Sequence, residues 1–158
     1  MKLIEMYEKI LVPLDGSEPS KHALIHAISI ATKFEATLKL LAVVSQVVLP
    51  VFPDEGFGTA PIVAAKDMAR FQEKMKELYE GVLKETKARL KEEHPEVKVE
   101  TTLREGRPSA TIVEVAEDDG VDLIVMGSRG VGGITGWILG STSRRVVDSC
   151  TKPILIVK

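Results

Sequence analysis

Gly127 to Ser143 reads GSRGVGGITGWILGSTS, and the placement of this glycine-rich stretch decides the fold. The run before it, Leu123-Ile124-Val125-Met126, is wholly apolar and has the character of a strand buried on both faces. The run after it, Ile138 through Val147, reads as the start of a helix. Glycine leaves backbone N–H groups unobstructed and tolerates the positive φ angles that turn several of them onto one anion. A helix opening at Gly140-Ser141 adds free N–H groups and the positive end of its dipole. Strand, glycine loop and helix start together form a phosphate cradle. The plainer alternative, a flexible linker, does not account for a position between a buried strand and an amphipathic helix.

Other phosphate-binding signatures can be tested against the same residues. No glycine here is followed by lysine, so a Walker A loop is absent. Gly130, Gly132 and Gly136 imitate a dinucleotide fingerprint, but only Pro153 to Lys158 follows the last helix, too little for the second half of a Rossmann unit. Ser128, Ser141 and Ser143 lie outside any G-x-S-x-G context, which excludes a nucleophile elbow. What remains is the long spacing G-x2-G-x9-G-[ST], met by Gly127, Gly130, Gly140 and Ser141.

Working outward, the chain alternates strands and helices. Lys9 to Asp15, KILVPLD, is an apolar strand running into a turn, and Asp15-Gly16-Ser17-Glu18-Pro19-Ser20 carries N-cap signals. A helix follows to about Phe34, with Ala23, Leu24, Ala27, Ile28, Ala31 and Phe34 on one stripe. His22 and His26, four apart, have zinc-ligand spacing, but they share the opposite stripe with Ser29 and Lys33, which marks a solvated face. Thr37 to Val44 is the second strand.

Residues 45–63 change character. Pro50, Pro53, Pro61, Gly56 and Gly58 interrupt regular structure among apolar Val47, Val48, Leu49, Phe52 and Phe57. The stretch reads as a long variable loop, either a lid or contact surface or a surface excursion. From about Ala64 to Glu93 a long helix carries Met68, Phe71, Met75, Leu78 and Val82 in steps of three and four. That seam is expected to pack on the sheet, with a helix–helix interface as the alternative. Val97, Val99, Thr101 and Leu103 alternate with polar residues, as in a half-exposed edge strand. Glu105 to Ser109 turns into a third helix with Pro108 in its first turn and Ala110, Ile112, Val113 and Ala116 on its buried stripe. Ile154 to Val157 closes the sheet.

The expected fold is therefore α/β: an open, doubly wound, five-stranded parallel sheet of order 3-2-1-4-5, helices on both faces, in a single domain over residues 1–158. In such sheets ligands bind where the winding reverses, here between the first and fourth strands. Those strands end at Pro13-Leu14-Asp15 and Met126-Gly127, so Asp15 and the glycine loop are expected to share one crevice. Asp15 reads either as a group serving a nucleotide, through a ribose hydroxyl, an adenine contact or a metal-bound water, or as a turn residue before the first helix.

Composition sets the outer bounds. With 158 residues, 44% apolar and 28% charged, the chain supports one core of ordinary make-up. A net charge of −2 argues against non-specific nucleic-acid binding or a polybasic membrane patch. Cys150 is the single cysteine, in keeping with a reducing compartment. The opening MKLIEMYEKILV lacks the apolar core of a leader, and no apolar run reaches the ~20 residues of a membrane span, so a cytoplasmic protein is expected.

Nearly the whole chain resembles the universal stress protein family, in its ATP-binding subclass. The resemblance is carried by Lys9 to Ser17, by Glu105-Gly106-Arg107-Pro108, by Asp122 to Gly130, by Gly140 to Ser143 and by Lys152 to Val157. It implies ATP across the switch point: adenine at Val43 and Pro13, ribose at Asp15 and Gly127, phosphates at Arg129, Gly130, Gly140, Ser141, Thr142 and Ser143. Leu14 and Met126, at the two strand ends, complete the expected set. Mg²⁺ or Mn²⁺ is expected to be held mainly by the phosphates rather than by protein side chains. The apolar spacer from Val131 to Leu139, with Trp137, and the proline-rich loop depart from the pattern. The expected role is a nucleotide-dependent regulator or sensor in stress response. The alternatives are a slow ATPase or phosphotransferase on the same site, since no clear base or clamping lysine is visible, and an interaction module without nucleotide. The apolar last strand, Pro153 to Lys158, lies at a sheet edge and predicts a symmetric homodimer, as the resemblance also implies.

Overall fold

The computed structural model describes residues 6–46, 60–130 and 139–158. The proline-rich residues 47–59, and residues 131–138 of the apolar spacer with Trp137, lie outside that set.

Five strands, β1 (Lys9–Pro13), β2 (Thr37–Ser45), β3 (Val99–Gly106), β4 (Leu123–Gly127) and β5 (Ile154–Val157), form one sheet in the order β3-β2-β1-β4-β5. Every pairing is parallel. Among the described residues four helices make the crossovers: α1 (Glu18–Phe34), α2 (Ala60–Glu93), α3 (Pro108–Asp118) and α4 (Ser141–Ser149). β1, β2 and β4 are largely apolar on successive residues because both faces are covered, whereas the edge strand β3 has no fully buried residue. Ile10, Val12, Leu38, Leu40, Leu123 and Val125 point to the side of α1 and α2. Leu11, Leu41, Ile124 and Met126 point to the side of α3 and α4, against Ile112, Val115 and Val146. Ile10, Leu11, Leu38, Leu40, Leu41 and Ile124 are fully buried, and each contributes about 1.5–3 kcal/mol relative to exposure.

Local chemistry sets the helix ends. Ser17 caps α1 by accepting a hydrogen bond from the Ser20 amide at 3.3 Å, with Pro19 in the first turn. The stripe Ala23, Leu24, Ala27 and Ala31 is buried, whereas His22 and His26 are exposed. The switch point sits at the centre, where β1 pairs with β2 on one side and β4 on the other. Asp122 ties the opposite end of the same pair, accepting from the amides of Glu8 and Lys9 at 2.9 Å each.

Four expectations are corrected. The second strand runs to Ser45 and α2 already begins at Ala60, so the connection is shorter than residues 45–63. Of the run from Ile138, Leu139 lies in non-helical backbone, and the last crossover helix opens at Ser141 after its N-cap Gly140, as the Gly140-Ser141 opening anticipates. Ala110 is exposed on α3, whose buried stripe is Ser109, Thr111, Ile112, Val115 and Ala116. The apolar seam of α2 does not pack as one face: Phe71 is 53% and Leu78 59% exposed, while Leu83, Thr86 and Leu90 are buried on a neighbouring stripe.

Candidate functional site

At the carboxyl ends of β1 and β4 the backbone opens into a cleft of about 250 Å³. Its floor comes from strand ends: Pro13 on β1 and Leu14 just after it, Leu41 and Val43 on β2, Met126 and Gly127 on β4. Asp15 stands at its side, followed by Gly16 at φ 80°, a conformation that favours glycine. Asp15 Oδ1 accepts from the Ser17 amide at 3.0 Å and the Ser17 hydroxyl at 2.5 Å. The same Ser17 oxygen caps α1, so one hydrogen-bonded chain fixes the helix start and the carboxylate. Asp15 is thus a turn residue, and it also lines the cleft.

The glycine loop is held close to this turn. A Cβ at Gly127 would lie 2.7 Å from Pro19 at the start of α1, and a Cβ at Gly130 would lie 2.6 Å from Asp15 Oδ2. At Gly140 a Cβ would come within 3.2 Å of the Arg129 Cα. Those approaches explain why glycine stands at three spaced positions. The Gly140 amide donates to Ser128 O at 2.8 Å, and the buried Ser143 hydroxyl donates to Gly127 O at 3.0 Å. Two bonds thus staple the beginning of α4 to the loop that leaves β4.

Gly140 is the N-cap of α4 and offers no side chain for capping. The first-turn amides are therefore left for an outside acceptor, at the positive end of the helix dipole. Arg129 adds a permanent positive charge to the cleft lining. Together these groups can hold a polyanion at one end, beside an apolar shelf of Pro13, Val43 and Met126.

Of the twelve residues expected around a nucleotide, ten line the cleft: Pro13, Leu14, Asp15, Val43, Met126, Gly127, Arg129, Gly130, Thr142 and Ser143. Gly140 and Ser141 do not line it but form the N-cap and first residue of α4 beside it. Sequence reasoning missed Ser20, Leu41, Ser45, Tyr79, Pro108 and Ile112, which also line it. Tyr79 reaches the cleft from α2, and burial first, then the Asp15 carboxylate, push its phenol above the usual value. No spacing in the sequence links Tyr79 to the loop; only the packing of α2 brings it there. Among the described residues no group of three His, Cys, Asp or Glu side chains is placed to hold a metal ion. Among them, too, no helix is long and apolar enough to cross a membrane.

Comparison with known proteins adds to this geometry. Over residues 6–158 the chain matches the model of the universal stress protein family. It is 37% identical over 153 residues to universal stress protein MJ0531 of Methanocaldococcus jannaschii, covering 97% of this chain and 83% of that one. The solved structure of protein MJ0577 from the same organism superposes with a TM-score of 0.70 at 30% identity, covering 97% of this chain and 96% of the other. A universal stress protein solved in complex with cAMP superposes with a TM-score of 0.55 at 26% identity, covering 96% of each.

Proposed function

The chain belongs to the universal stress protein family, and from that membership we propose that it binds ATP in the switch-point cleft and acts as a nucleotide-dependent regulator or sensor. One observation carries the reading: the uncapped start of α4, the closely approached glycines and Asp15 meet in one cleft with an apolar shelf. The cAMP held by a relative of similar fold supports an adenine nucleotide as the ligand class.

In this reading adenine lies on Val43 and Pro13, where apolar side chains suit a flat, weakly polar base. The ribose faces Asp15 and Gly127. The phosphates meet Arg129, Gly130 and the first turn of α4 from Gly140 to Ser143, where amide N–H groups and the helix dipole favour negative charge. The Asp15 carboxylate beside Gly130 and the Arg129 backbone beside Gly140 leave little room for a side chain at either position. A divalent cation enters on the phosphates.

Retention rather than rapid turnover fits the lining. Its charged groups among the described residues are Asp15 and Arg129, and one oxygen of Asp15 is engaged by Ser17. Efficient phosphoryl transfer needs a metal, charge stabilisation and a group that positions the attacking water. The direct test is to denature the purified protein and resolve the small molecules it releases. ATP is expected; a non-adenine molecule in stoichiometric amount would overturn the reading.

The apolar edge of β5 supports a second element of the proposal, a symmetric homodimer through Pro153 to Lys158. Leu155 is 36% exposed on an edge strand whose other side pairs with β4. Sedimentation that finds only monomer contradicts this element.

A further inference from the structure

One wall of the cleft comes from neither the strand ends nor the glycine loop. It is Tyr79, on the face of α2 that packs across β2 and β3. Leu83 and Leu90 continue that face into the core, 5% and 1% exposed, and anchor the helix. Tyr79 stands one turn before Leu83, towards the carboxyl ends of the strands, and its ring packs against the same core cluster. Asp15 and Ser45 line the cleft with it.

We propose that the Tyr79 hydroxyl reads the sugar of the bound nucleotide together with Asp15, and that it makes the cleft selective for ribonucleotides over deoxyribonucleotides. The inference rests on the adenine-nucleotide reading above and deepens it. The ribose hydroxyls each donate and accept, whereas a carboxylate only accepts. Asp15 Oδ1 already takes two hydrogen bonds from Ser17, so the carboxylate by itself serves a diol incompletely. A phenol supplies both a donor and an acceptor. A phenol keeps that proton at neutral pH, and the Asp15 carboxylate, after burial, raises its pKa further, which puts the hydroxyl within the field of the carboxylate. A polar site built around a ligand hydroxyl discriminates against the analogue lacking it, because its own groups are then left without partners. Tyr79 is thus a specificity-determining residue. Its ring belongs to the core and its hydroxyl to the ligand.

The experiment is calorimetric titration of wild type and Tyr79→Phe with ATP, 2′-deoxy-ATP and 3′-deoxy-ATP. Phenylalanine keeps the ring and its packing, and an unchanged melting temperature verifies this. Wild type is expected to prefer ATP to at least one deoxy analogue. Tyr79→Phe is expected to weaken ATP about fivefold, to leave the disfavoured analogue within about twofold, and so to erase the preference. A purely structural role would not move this ratio. The proposal is overturned if wild type binds ATP and both analogues equally, or if Tyr79→Phe keeps the wild-type ratio. Wild type that binds ATP with either of those results sinks the role of Tyr79 alone. Wild type that binds no adenine nucleotide sinks the underlying reading and this inference with it.

Discussion

Asp15 and Gly130, more than a hundred residues apart in sequence, stand so close that a Cβ on the glycine would lie 2.6 Å from Asp15 Oδ2. The carboxylate has little freedom to retreat, because Oδ1 is held by the amide and hydroxyl of Ser17. Gly130→Ala should therefore force the carboxylate off its Ser17 bonds or push the loop outward. Gly130 is itself exposed, so the cost falls on the site rather than the core. ATP affinity is expected to drop about tenfold while stability changes by less than about 1 kcal/mol. Titration calorimetry and urea unfolding check the two halves separately.

Gly127 makes the opposite case. Its hypothetical Cβ meets the backbone and Cβ of Pro19 at 2.7 Å, and backbone at the start of α1 cannot rotate away. Gly127→Ala should destabilise the fold by about 1–3 kcal/mol, the usual cost of overpacking. Gly81 lies inside α2 with nothing within 4 Å of where a methyl group would stand. Its replacement by Ala should add about 0.5–1 kcal/mol of stability. Denaturant midpoints of the two variants should move in opposite directions.

Acid stability should depend on one ion pair. Lys39 on β2 and Asp119 at the end of α3 meet at 2.5 Å, with side chains 12% and 30% exposed. The Lys39 hydrogen bond holds the Asp119 carboxyl below its ordinary value of 3.8, against the opposing effect of burial. A depressed carboxylate contributes stability above its unfolded pKa and loses it as pH falls through the folded one. Asp119→Asn should cost about 1–3 kcal/mol at pH 7, because it strands a largely buried ammonium. The gap to wild type should stay constant down to about pH 5 and close as pH falls below 3.8. A gap that widened on acidification would contradict the assignment.

The two stripes of α2 should also separate by mutation. Phe71→Ser with Leu78→Ser removes apolar side chains that are already more than half exposed, so stability should change by no more than about 0.5 kcal/mol. Leu83→Ala, on the neighbouring buried stripe, should cost about 2–5 kcal/mol. Thermal melts of both variants at one protein concentration make the comparison.

That contrast shows where sequence reading stops. The strands were legible because burial on both faces leaves a local mark, as in Leu123 to Met126, and the alternation of apolar strands with helical stretches led to the order β3-β2-β1-β4-β5. The crevice between Asp15 and the glycine loop followed from that order, not from any local pattern. The stripe on α2 was not legible for a reason of length. Thirty-four helical residues span about 51 Å at 1.5 Å each, whereas nine strand residues span about 30 Å, so the first half of α2 overhangs the sheet. Phe71 keeps a core-like spacing in that first half, whereas Leu78, beside the core-packed Tyr79, is turned away from the sheet. Tyr79 was overlooked for the same reason, since it sits where the overhang meets the end of the strands. Ala110 misled through size: alanine tolerates either face, and the true stripe of α3 buries the polar Ser109 and Thr111 instead.

The central claim is that the switch-point cleft holds ATP, and it is met most directly by titrating nucleotide-free protein with ATP in a calorimeter, with Gly140→Asp in parallel. A carboxylate at the N-cap of α4 beside the backbone of Arg129 fills the cradle and opposes the phosphates. Saturable binding at one ATP per chain by wild type, abolished in Gly140→Asp that melts normally, is the expected result. The absence of any heat or competition from ATP, ADP or AMP up to about 1 mM would contradict it.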